Sequence, residues 1–113
     1  MIVHVVMIQP RADLQSGALA TAVADLRAAA KEIPSVRRLR IGRRVRHGRP
    51  GYEASMSRDF AYLALIEFDD ERGLAEYLEH PSHAVLSRHF ATIGEQALAY
   101  DYEVAEASDT PAS

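Results

Sequence analysis

The 113-residue chain has no cysteine, which excludes disulfides, thiolate metal sites and cysteine nucleophiles. No apolar run in it approaches the roughly 20 residues needed to span a bilayer. Its opening residues, Met1 to Ile8, lack the basic segment of a secretory signal and reach Gln9-Pro10 too early for one. A cytoplasmic location with no membrane partner is therefore expected. The net charge is only −3, which gives no overall attraction to nucleic acid. What is present is 48% hydrophobic and 26% charged, the balance of one globular domain. A chain of this length buries about two-thirds of its unfolded surface, enough for one core without staples.

The charge is unevenly spread. Seven of the 13 basic residues are arginines between Arg37 and Arg49. Such a cluster attracts anions such as phosphate, carboxylate or an acidic carrier protein. It can equally be a solvated strand edge that deters sheet-to-sheet aggregation. No aromatic residues are interleaved with these arginines, so a nucleic-acid surface is not expected.

Hydrophobic period sets out the elements. Ile2–Ile8 is a β-branched apolar run and reads as a strand ended by Pro10. From Ser16 to Glu32, Leu19, Val23, Leu26 and Ala30 recur at helical spacing, with Asp13 or Ser16 as caps, Lys31 at the negative end and Pro34 as the stop. Val36–Val45 alternates as a half-exposed strand, and 46–58 reads as an aperiodic, mobile loop. Phe60–Phe68 is a third strand. A short helix capped by Asp69 or Asp70 runs to Glu79, a further helix spans Ser82–Gln96, and Leu98–Ala105 is the last strand. Residues 1–105 form the domain, and the small polar tail 106–113 is expected to be disordered.

The order β-α-β-β-α-α-β predicts an α+β fold: a ferredoxin-like split βαβ layout on a four-stranded antiparallel sheet. Both faces of two strands are apolar. Val3, Val5 and Met7 oppose Ile2, Val6 and Ile8, while Leu63 and Leu65 oppose Ala64, Ile66 and Phe68. Helices cover one face of such a sheet, so the other needs a second cover. A second copy of the chain supplies it, giving a homodimeric α/β-barrel with a cavity between sheet and helices.

Polar residues stand out against this background. His4 lies on the face of Ile2, Val6 and Ile8. Tyr77, His80 and His83 fall within seven residues, and Asp101 interrupts the last strand between Tyr100 and Tyr102. Three chemistries use such residue types. A histidine–carboxylate pair can take a proton while a tyrosine hydroxyl polarises a carbonyl. His4, His80 and His83 could hold a divalent metal. His80 and His83 could instead cap helix ends at the Pro81 break, as cations meeting free carbonyls. Spacing alone leaves these open.

The segment Tyr77-Leu78-Glu79-His80-Pro81-Ser82-His83 resembles the Y-x-x-H-P-x-H motif of the stress-responsive dimeric α/β-barrel (Dabb) family. His4 in the first strand, Asp101-Tyr102 in the last, Ile33-Pro34-Ser35-Val36 and Gly42 fit the same family, over about residues 1–104. The resemblance implies the dimeric ferredoxin-like barrel. It also implies activity of the plant olivetolic acid cyclase type, a cofactor-free lyase or cyclase that closes a linear β-keto or polyketide thioester by an intramolecular aldol step. In that scheme His83 is the base, Asp101 orients it, Tyr77 holds the substrate carbonyl and His4 lines the pocket. Tyr62 and His80 are expected as further substrate-binding residues. From the charge cluster alone, Arg43 and Arg44 are expected to receive the phosphates of a thioester or an acidic carrier. No cofactor or metal is required. Where the family often has histidine at the start of the third strand, this chain has Tyr62, which donates a hydrogen bond but is a poor base near neutrality. A non-catalytic stress-response or small-molecule-binding barrel is the competing reading, with a cofactor-free monooxygenase or isomerase a third.

Overall fold

Each stretch of alternating apolar residues forms a strand in the structure, a computed structural model that describes residues 1–109. The elements in chain order are β1 (Ile2–Pro10), α1 (Ala18–Glu32), β2 (Arg38–Arg43), β3 (Tyr62–Phe68), α2 (Glu71–Glu79), α3 (Pro81–Ile93) and β4 (Gly94–Glu103). The sheet order is β2-β3-β1-β4, with every neighbouring pair antiparallel. This is the ferredoxin-like α+β fold expected from the element order.

Strand alternation divides the sheet into two faces. Ile2, His4, Val6 and Ile8 of β1 are buried under the helices, as are Ala64, Ile66 and Phe68 of β3. Phe68, Ile66 and Ile33 are the largest fully enclosed side chains, and Tyr77 and Leu86 complete the same core. The opposite face carries Val3, Val5, Met7, Leu63 and Leu65, all half-buried, with Tyr100 and Tyr102 of β4 exposed. Apart from Glu67, paired with Val3, the centre of that face is apolar, and the face has no helix over it.

Several boundaries differ from the sequence expectation, each for a local reason. β1 continues to Pro10, because the proline lies beyond the last β3 partner of the strand, Ile8↔Tyr62, where no donor to β3 is needed. The register against β4 shifts between Gln9 and Pro10. α1 begins at Ala18 rather than Ser16, and neither Asp13 nor Ser16 caps it. The cap is Gly17 in the left-handed region (φ 86°), which glycine adopts without steric cost, while Asp13 is paired with Arg11. β2 is shorter than Val36–Val45, since Val36 closes a turn onto the Ile33 carbonyl. α3 ends at Ile93 rather than Gln96 and passes into β4 with no intervening loop. Gly94 permits this: a Cβ there would lie 3.1 Å from the Phe90 carbonyl oxygen and 3.3 Å from the Ile8 side chain.

The 46–58 loop contains a short 3-10 turn, Glu53–Ser55, and specific anchors. Asp59 binds the guanidinium groups of both Arg44 and Arg46, and the Glu53 carboxylate accepts from the backbone N–H groups of His47 and Gly48. Of the tail expected to be disordered, Ala107–Asp109 forms a 3-10 turn, and 110–113 lie outside the described residues.

Candidate active site

A cavity of about 180 Å³ lies between the inner face of the sheet and helices α1 and α3. Its walls are mainly aliphatic, with Val6, Ala64, Val23 and Leu86 among them. Its polar lining comes from His4, Tyr62, Tyr77, His83 and His89.

His4 is 6% exposed and enters from the sheet. Antiparallel register sets it directly opposite Asp101 on β4, and side chains of such a pair project to the same face. Its Nδ1 lies 2.5 Å from Asp101 Oδ1. A carboxylate only accepts, so this contact fixes the proton on Nδ1 and leaves Nε2 as the free nitrogen. The carboxylate expected to orient His83 thus holds His4 instead, because strand register decides its neighbour.

Tyr77 sits at the inner face of α2, 2% exposed. Its ring contacts Phe68, His4 and His83 at centroid separations of 5.3, 5.7 and 4.9 Å, the two histidine contacts being edge-to-face. Burial pushes its phenol pKa up to about 12, so the hydroxyl keeps its proton at neutral pH. That hydroxyl has no hydrogen-bond partner among the described residues, and the side chain lines the cavity. It is therefore free to serve a bound molecule. His83, in the first turn of α3, has its pKa lowered below the ordinary histidine value, chiefly by burial and secondarily by His4, with the Leu78 carbonyl opposing. A neutral imidazole ready to accept a proton results.

His80 does not line the cavity. Its Nδ1 accepts from the Ser82 backbone N–H at 3.0 Å and caps the start of α3, with Pro81 in the first turn. It acts as an acceptor at a helix N-terminus, and the expected role as a cation on free carbonyls is not realised. The three-histidine metal reading fails with it. Among the described residues no group of three or more potential ligands comes together. Arg43 and Arg44 are also outside the cavity: Arg43 is exposed on β2, and Arg44 is bound by Asp59. Tyr62 does line it.

One pair escaped sequence reasoning. His89 of α3 lines the cavity, and its Nε2 lies 2.6 Å from Asp25 Oδ2 of α1. The available signal was position, since His89 stands between Leu86 and Phe90 on an otherwise apolar helix face.

The model of the stress responsive A/B barrel domain (Dabb) matches residues 2–104. The chain belongs to the Dabb family. Solved structures agree in fold. A Dabb protein with a ferredoxin-like fold from Mesorhizobium loti superposes with a TM-score of 0.71 at 20% identity, covering 92% of this chain and 96% of its own. Hydroxynitrile lyase from Passiflora edulis gives 0.77 at 15% identity over 93% and 94%. A dimeric ferredoxin-like protein of unknown function from a Jannaschia species gives 0.69 at 25% identity over 91% and 98%. No curated protein matches the chain in sequence. Of these relatives, the Jannaschia protein is described as dimeric and the Passiflora protein as a hydroxynitrile lyase. No helix among the described residues is long and apolar enough to cross a membrane.

Proposed function

We propose that this Dabb protein is a cofactor-free lyase or cyclase acting on a β-keto substrate, with His83 as base and Tyr77 as hydrogen-bond donor. The observation that supports it most is the ring of Tyr77 packed between His4 and His83 in an apolar cavity, with its hydroxyl unclaimed. A carbon between two carbonyls is acidic enough for a neutral imidazole to deprotonate. His83 takes that proton, and the developing enolate oxygen is held by the Tyr77 hydroxyl, which remains protonated because its pKa is so far raised. The enolate carbon then attacks a second carbonyl of the same molecule, forming the C–C bond, and the resulting alkoxide takes the proton back from the His83 imidazolium. His4, fixed by Asp101, offers a second nitrogen to the substrate, and Tyr62 completes the wall. The lyase among the structural relatives runs on the same scaffold, and the reverse of the step above is C–C cleavage. The open sheet face supports a homodimer.

The test is turnover. Wild type, His83→Ala and Tyr77→Phe are incubated with linear β-keto thioesters and with hydroxynitriles, and products are read by mass spectrometry. Product that both variants lose supports the base-and-donor scheme. Product that persists in His83→Ala removes His83 as the base. No product from wild type across both panels favours a small-molecule-binding barrel instead.

A further inference from the structure

The cavity has a polar lining residue, His89, that the catalytic scheme does not use. α3 runs along β1, and both ends of the overlap are fixed by contacts. At its start His83 meets Tyr77, which also meets His4. At its finish Gly94 is packed against the Ile8 side chain, and Ile8 is paired in register with Tyr62. The cavity therefore extends from His4 toward Ile8 and Tyr62. His89 follows His83 by six residues, about 9 Å further along the helix axis in that direction. Val6, Ala64 and Leu86 form apolar wall between the two ends.

The distal end has defined chemistry. Asp25 accepts from Nε2 of His89, so in the neutral ring Nδ1 is the nitrogen with a free lone pair. A ligand hydroxyl can donate to it. The cavity lining contains no lysine or arginine, so a buried carboxylate on the ligand would have no compensating charge.

We propose that the cavity takes an elongated, uncharged ligand with a carbonyl at the Tyr77–His83 end and a hydroxyl at the His89 end. Asp25 is the positioning residue that sets the His89 tautomer. The inference rests on the proposed site for its carbonyl end, but not on turnover.

Methyl hexyl ketone, its ω-hydroxy derivative and octanoate are suitable probes, since the extended hydroxy ketone spans about the helix distance given above. Binding is measured by calorimetry on the full chain. The ω-hydroxy ketone is expected to bind wild type about fivefold tighter than the plain ketone, the value of one added neutral hydrogen bond. Octanoate should bind more weakly than either. In His89→Leu the preference for the hydroxy ketone over the plain ketone should fall to about onefold. Asp25→Asn serves if that variant does not fold, and it should reduce the preference at unchanged affinity for the plain ketone. Equal binding of the two ketones to wild type overturns the proposal. So does a preference that survives in the folded variant, and so does failure of both ketones to bind. The preference without turnover leaves this subsite standing and removes the catalytic scheme. His83-dependent turnover without the preference does the reverse.

Discussion

His4 and Asp101 are 97 residues apart in sequence, yet Nδ1 of one lies 2.5 Å from Oδ1 of the other because β1 and β4 pair them directly. A buried histidine held by a carboxylate has a fixed tautomer and a fixed ring plane. Removing the carboxylate should leave the enclosed ring N–H without its acceptor, at a cost of about 1–3 kcal/mol. Asp101→Ala is accordingly expected to lower stability by that amount in urea denaturation, and Asp101→Asn, whose amide oxygen still accepts, by less. Equal effects of the two substitutions would count against the bond as a source of stability.

His83 links this site to pH. Its folded pKa lies below the ordinary histidine value, mainly because burial disfavours the charged ring. Between the folded and unfolded values the unfolded chain binds more protons, so stability rises with pH there. The contribution is fully present above the unfolded value of about 6.5 and is lost as pH falls through the folded value. His83→Leu should flatten that acidic limb of the stability curve. NMR titration of the His83 ring should show a midpoint below that of an exposed histidine, and a midpoint at or above it would contradict the burial argument.

Gly94 allows the direct passage from α3 into β4. The Cβ of an alanine would come within 3.1 Å of the Phe90 carbonyl and press on Ile8 at the distal end of the cavity. Gly94→Ala is expected to destabilise the fold by about 1–3 kcal/mol, as overpacking usually does. Thermal melting would register the loss, whereas Gly48→Ala, at a glycine with open space around it, should show only the strain of its positive φ.

Much of this was legible in the residues. Alternation placed His4 on the inner face with Ile2, Val6 and Ile8, and apolar residues on both faces of β1 and β3 marked an outer face that no helix covers. The Y-x-x-H-P-x-H segment located Tyr77 and His83 together. The partner of Asp101 was not legible, because strand register depends on tertiary packing and a different pairing would send its side chain elsewhere. Asp25 and His89 were missed for a related reason. Each reads alone as an ordinary polar residue on a helix, and only the packing of α1 on α3 makes them a pair. His80 misled because its role depends on which helix end it meets: it accepts at the start of α3 instead of capping the end of α2 as a cation.

The open sheet face carries the last prediction. Val5 is paired with Leu65 on one side and Tyr100 on the other, at the centre of a half-buried apolar surface with no helix above it. Glu67, 7% exposed on the same face, lies 3.4 Å from Arg40 and 3.8 Å from Arg38 at its edge. If a second copy covers this face, a charge at its centre must be buried without a partner, which costs several kcal/mol per ion. Val5→Glu should therefore convert a dimer into a folded monomer at micromolar concentration, as read by sedimentation, with far-UV circular dichroism unchanged. The same charge on Met1, a residue outside the paired centre and already 52% exposed, should leave the mass unaltered. A dimer that persists in Val5→Glu would place the contact between copies on another surface, and the apolar outer face would then need a different occupant.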